Sequence, residues 1–204
     1  MFNIDGKFFG VLSRLADLVI LNLLFLVCCI PVVTVGAAVT AMYSVTWKMA
    51  EEKEGYILKG FFKAFKDNFK QSTAIWLILF VPFLVISVDL YLSNFMAEGI
   101  GQTMLKGFWM LALLIVLFVM VYALTLQCIF ENTVKNTIKN AFLISLGHAP
   151  WSLAVTALAL SPFISLLYFG EYFSAELLAM LLIWFSGAAY INSFILKKIY
   201  KKFM

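Results

Sequence analysis

Fourteen of the fifteen Lys and Arg residues fall in four short stretches, and long apolar runs fill the space between them. The stretches are Lys7–Arg14, Lys48–Lys70, Lys135–Lys139 and Lys197–Lys202; Lys106 alone lies elsewhere. Such a chain cannot bury its apolar runs in one aqueous core. It is 64% hydrophobic and 13% charged, against roughly 25% charged residues in a soluble domain. A soluble fold of this size also leaves about a quarter to a third of its surface exposed. Lipid is the solvent that fits, and the implied class is an all-α, polytopic transmembrane helical bundle. The net charge of +4 is modest and segregated into separate stretches, which argues against nucleic-acid binding, since that needs one contiguous basic face.

A helix needs about 20 apolar residues to cross a bilayer. Four apolar stretches predict one span each, at about 73–93, 107–130, 151–169 and 175–196. The first stretch, Leu15–Trp47, is too long for one span and contains Pro31, which removes an N–H and clashes with the preceding turn. It is read as a hairpin, with spans at about 11–30 and 32–49. Six spans with cytoplasmic N- and C-termini place fourteen basic residues inside and Lys106 outside, as the positive-inside rule prefers. Five spans, with 32–49 re-entrant, remain open. The expected external loops are short: one near Pro31, then Asn94–Leu105 and Gly170–Ser174. Trp47, Trp76, Trp109 and Trp151 fall near span ends, as an aromatic belt would place them.

The sharpest local pattern is 56–71. Lys59, Lys63, Lys66 and Lys70 recur at helical spacing, with Phe61, Phe62, Phe65 and Phe69 on the other side. This predicts an amphipathic helix lying in the membrane interface, its rings in the acyl boundary and its lysines toward anionic headgroups; a docking surface for a partner is the alternative. Phe8–Pro31, Phe61–Pro82 and Ile138–Pro162 are similar in length, which suggests three two-helix repeats.

Chemistry has little to work with. Cys28, Cys29 and Cys128 lack metal-ligand spacing and suit apolar packing. His148 is the only histidine. There is no P-loop motif, and no cofactor, metal site or catalytic group is expected, so the chain is not read as an enzyme. Asp17, Asp89 and Glu131 sit near span ends. The deeper polar residues, Asn22, Thr34, Thr40, Ser44, Gln127 and Asn192, suit contacts between helices or a path for a neutral solute.

Several segments resemble the YesL family of bacterial integral membrane proteins, whose domain has no known function. They are Phe8-Phe-Gly-Val-Leu-Ser-Arg-Leu-Ala-Asp-Leu18, the Asn22-Leu-Leu-Phe25 segment, Pro31-Val-Val-Thr-Val-Gly-Ala-Ala38 followed by Ala41-Met-Tyr43, and Phe62-Lys-Ala-Phe-Lys-Asp-Asn68. The motifs cover roughly the first 95 residues. The resemblance implies a multi-pass protein of the bacterial cytoplasmic membrane. It also implies an accessory role beside carbohydrate ABC transporters, with permease subunits as partners and no assigned site residues to carry over. On that reading the basic helix and the Thr/Ser-rich second span are the contact surfaces. The competing reading is a small stand-alone transporter or channel for a neutral solute. The bilayer is the expected partner in either case, and a homo-oligomer stays open.

Overall fold

The computed structural model describes residues 4–53, 55–95, 99–168 and 173–203. These residues form eight α-helices and, among them, no strand. The polytopic helical bundle expected from the apolar runs is what the chain builds.

Helix α1 (Ile4–Cys29) ends at a bend before Pro31, and one 3-10 turn (Val32–Thr34) leads into α2 (Val35–Ala50). Thr34 holds this corner by donating its hydroxyl to Cys28 O at 2.6 Å and to Pro31 O at 2.8 Å. Thr34 is therefore a turn staple within one hairpin and does not tie separate helices together. Helix α2 has 16 residues, about 24 Å at the α-helical rise. It is not among the five helices with the length and hydropathy to cross a membrane, which cover Phe9–Cys29, Ile57–Phe95, Ile100–Gln127, Ala149–Leu166 and Phe173–Tyr200.

Helix α3 (Ile57–Leu92) is continuous over 36 residues. The expected interfacial helix at 56–71 and the expected span at 73–93 are thus one rod, because no helix breaker separates them. Helix α4 (Ile100–Gln127) starts earlier than expected and ends three residues short of Phe130. Helix α5 (Val134–Gly147) turns at His148 into α6 (Ala149–Tyr168). Ser152 pins that corner through Ser145 O at 2.7 Å and His148 O at 3.2 Å. The last rod comprises α7 (Phe173–Ala179), a π-helical turn (Met180–Trp184) and α8 (Phe185–Tyr200). The expected loop at 170–174 falls largely outside the described residues, as do residues 96–98 of the loop at 94–105.

The three-repeat expectation does not hold. Pro31 lies beyond the end of α1, whereas Pro82 and Pro162 lie inside α3 and α6. The helices that follow the first two segments, α2 and α4, have 16 and 28 residues.

Long-range contacts gather the basic stretches at one end of the bundle. Arg14 lies 3.9 Å from Glu52, and Lys197 Nζ donates to Ala50 O at 3.3 Å. The rings of His148 and Phe203 meet at 6.4 Å, and the side chains of Gln127 and Gln71 are hydrogen-bonded. Lys106 sits roughly 30 Å away along α4. Most of the core lies at the same end, where α2 packs against α3, α4 and α8. The α1–α2 corner reaches only as far as Trp76, whose Nε1 donates to Val32 O at 3.0 Å. Beyond that level α3 runs on to Leu92, about another 24 Å.

Candidate functional site

At the basic end an open cleft of about 1250 Å³ lies between α3 and the α4–α5 turn. One wall carries Lys63, Lys66 and Lys70 of α3, with Lys48 and Ser44 of α2 beside them. The helical spacing of these lysines puts them on one side of α3, where they are solvent-exposed. The other wall is the α4–α5 turn, with Glu131, Asn132, Thr133 and Asn136. Thr133 caps α5 by accepting from Asn136 N at 3.4 Å, the side-chain-to-backbone bond that opens many helices.

Gln71 and Gln127 join the walls. Gln127 Nε2 donates to Gln71 Oε1, while Gln127 Oε1 accepts from Thr137 Oγ1 at 3.3 Å. Gln127 is buried and Thr137 is 2% exposed, so the turn is fixed in place relative to α3. Lys59, the fourth member of the expected stripe, does not line the cleft; its Nζ sits 5.3 Å from the centre of the Tyr56 ring.

The aromatic face of 56–71 divides. Phe62 and Phe69 are exposed, but Phe61 is fully buried and stacks on Phe65. Phe61 therefore packs inside the protein and not into an acyl boundary, because α2 covers that side of α3. Trp47 likewise leaves the expected belt: it is buried, stacks on Tyr200 with ring centres 6.0 Å apart, and donates Nε1 to Glu51 Oε1 at 3.1 Å.

Glu51 also pairs with Lys53 at 2.8 Å. The hydrogen bond from Lys53 holds the Glu51 carboxyl below its ordinary value. A depressed carboxylate contributes stability above its unfolded pKa, and the contribution is lost as pH falls through the folded one. The α2 terminus itself closes as a Schellman motif. Lys53 N donates to Lys48 O at 3.0 Å and Glu52 N to Met49 O at 3.1 Å, with Glu52 at φ 56°.

Among the expected intramembrane polar residues, Asn22, Thr40 and Asn192 make bonds to neighbouring helices, while Asn192 Oδ1 has no hydrogen-bond partner among the described residues. Asn22 Nδ2 donates to Met180 O and Leu181 O, each at 2.8 Å, and its Oδ1 accepts from Ser186 N at 3.0 Å. These are backbone groups of the π turn and its exit, where the i→i+5 pattern disturbs the α-helical ladder. Thr40 donates to Leu124 O at 3.2 Å. Asn192 donates to Val155 O at 3.0 Å and to the Tyr43 hydroxyl at 3.2 Å. Ser44 faces the cleft instead.

Reading the spans from sequence passes over Glu176, a charged residue visible inside the last apolar stretch. It is 9% exposed, and its Oε2 has no hydrogen-bond partner among the described residues. No cluster of three metal-ligating side chains occurs among the described residues.

The fold defines a multi-pass helical membrane protein. Residues 18–90 match the family model described as "Protein of unknown function, DUF624". The match runs from the middle of α1 through the hairpin and nearly all of α3, so it includes the lysine wall of the cleft and stops before the α4–α5 wall. No curated protein and no solved structure matches the chain.

Proposed function

We propose that this chain is a non-enzymatic accessory component of a carbohydrate ABC-transport system in the bacterial cytoplasmic membrane, with its basic end and both termini in the cytoplasm. The observation that carries a non-transporting role is the use made of the interior polar residues. Asn22, Thr40 and Asn192 bind backbone or side-chain groups of neighbouring helices. In a bundle, such bonds hold helices together, whereas a stand-alone solute path needs polar groups turned toward the solute. The positive-inside rule supports the orientation, since the four basic stretches share one end. The YesL-like segments supply the sugar-transport context.

The contact surface differs from the one expected. Thr40 and Thr46 of α2 are fully buried within the chain, so α2 is not available to a partner. Within the membrane we assign the contact to the far half of α3 and α4, where Val81, Val85, Val88, Met104 and Leu111 are exposed.

Affinity purification from native membranes in mild detergent tests the proposal. The expected result is co-recovery of an ABC permease subunit that is lost on replacing Val85 and Val88 with bulky Trp. Recovery of this chain without any permease, or solute uptake by the pure protein in proteoliposomes, would overturn it.

A further inference from the structure

We propose that the cleft between α3 and the α4–α5 turn is a binding site for a phosphate ester bearing free hydroxyls. Three independent features converge there. Lys48, Lys63, Lys66 and Lys70 line it against only two carboxylates, Asp67 and Glu131, so an anion is favoured. The N-terminus of α5, a helix of 14 residues, opens onto the same space through Thr133 and Asn136. The first N–H groups of a helix lack intrahelical acceptors and, with the helix dipole, attract negative charge. The third feature is rigidity: the Gln71–Gln127–Thr137 chain of hydrogen bonds locks the turn that carries this N-terminus to the helix that carries the lysines.

The two carboxylates fit the other half of the ligand. Asp67 and Glu131 line the cleft as acceptors beside its lysine donors, suited to hydroxyls beside a phosphate. The cleft also sits where the apolar stretch of α3 gives way to its lysine-bearing turns. It can therefore be reached by a lipid headgroup from the membrane or by a soluble phosphate ester from the aqueous side. The chemistry is the same for both.

A basic surface that attracts anionic lipid without a site would treat all its lysines alike, each weakened by salt over a Debye length. A site would not. Lys59 supplies the comparison, since it lies on α3 with the others but outside the cleft.

The experiment uses the full chain in nanodiscs, as wild type, as Lys59→Gln, and as the triple variant Lys63→Gln, Lys66→Gln, Lys70→Gln. All four lysines are exposed, so the fold is expected to persist, with circular dichroism as the check. One arm measures retention of phosphatidylglycerol in phosphatidylcholine nanodiscs by native mass spectrometry. The other measures binding of glycerol 3-phosphate to the protein in pure phosphatidylcholine nanodiscs by calorimetry.

The expected result is binding in at least one arm. It weakens roughly a hundredfold in the triple variant, at about fivefold per lysine, and less than about twofold in Lys59→Gln. Binding only in the first arm assigns a lipid, and binding in the second assigns a soluble ester. Absence of binding in both arms, or an equal loss per lysine in Lys59→Gln, would overturn the proposal.

Discussion

The two ends of α4 belong to one uninterrupted apolar helix, yet they live in different surroundings. Nine of the last ten residues, Phe118–Gln127, are buried; none of Ile100–Leu117 is. Hydropathy does not separate them, because lipid tails are as apolar as leucine and give helices no hydrophobic reason to associate. What separates them is hydrogen bonding and close approach. At the basic end Thr125 meets the Tyr200 hydroxyl at 2.7 Å, Thr46 meets Ser193 at 2.9 Å, and Gly36 lets α2 lie against Trp76 and Ser72. At the far end α3 and α4 project as a mostly apolar pair, with Leu84, Val88, Met104 and Met110 exposed. Specific packing in this protein is concentrated at one end.

That contrast can be broken by substitution. Asn22→Leu is expected to have the largest effect, about 2–4 kcal/mol of lost stability. It removes two bonds to the π turn and one to Ser186 of α8, and leaves buried backbone groups without their partner; denaturant unfolding in bicelles reads the loss. Gly36→Ala comes next, at about 1–3 kcal/mol. Its new Cβ falls 2.4 Å from Trp76 Cβ and 2.5 Å from Ser72 O, so α2 must move off α3, and the quenching of Trp76 fluorescence should change with it.

Tyr200→Phe keeps the ring stack on Trp47 and deletes only the bond to Thr125, which predicts about 1 kcal/mol. Glu52→Gly works in the other direction. Relief of a left-handed non-glycine position should add about 0.5–1 kcal/mol of stability, read as a higher unfolding midpoint. The smallest effect is expected at the far end, where Leu84→Ala should change stability by less than about 0.5 kcal/mol, because lipid fills the space. A loss as large as that from Gly36→Ala would show that the far end is packed after all.

Much of this architecture was legible in the residues. The α1–α2 corner follows from Pro31, and the charge stretches indicated one basic end. The lysine spacing placed Lys63, Lys66 and Lys70 on a common face, but it could not show that Lys59 lies outside the cleft. Phe61 and Trp47 were misplaced for one physical reason. Aromatic residues suit lipid, interface and core alike, and only the presence of α2 beside α3 and of Tyr200 beside Trp47 decides among them. Asn22 was read as a contact between helices or part of a solute path, and it bonds to the last rod. Its partner was not legible, because a π turn has no residue signature and its disturbed backbone groups appear only once α1 lies against the last helix.

The sequence by itself determined the solvent, the helical class, the corner at Pro31 and the segregation of basic charge. These depend on composition and short-range spacing, which any conformation of the chain must respect. Tertiary structure alone decided that α2 is a short buried helix, that the basic helix continues into a span, and that the α4–α5 turn closes a cleft against the lysines. Each of these depends on which helix lies beside which. Within a membrane that choice rests on a few hydrogen bonds and close contacts between residues as distant as Asn22 and Ser186, and a hydropathy pattern carries no record of them.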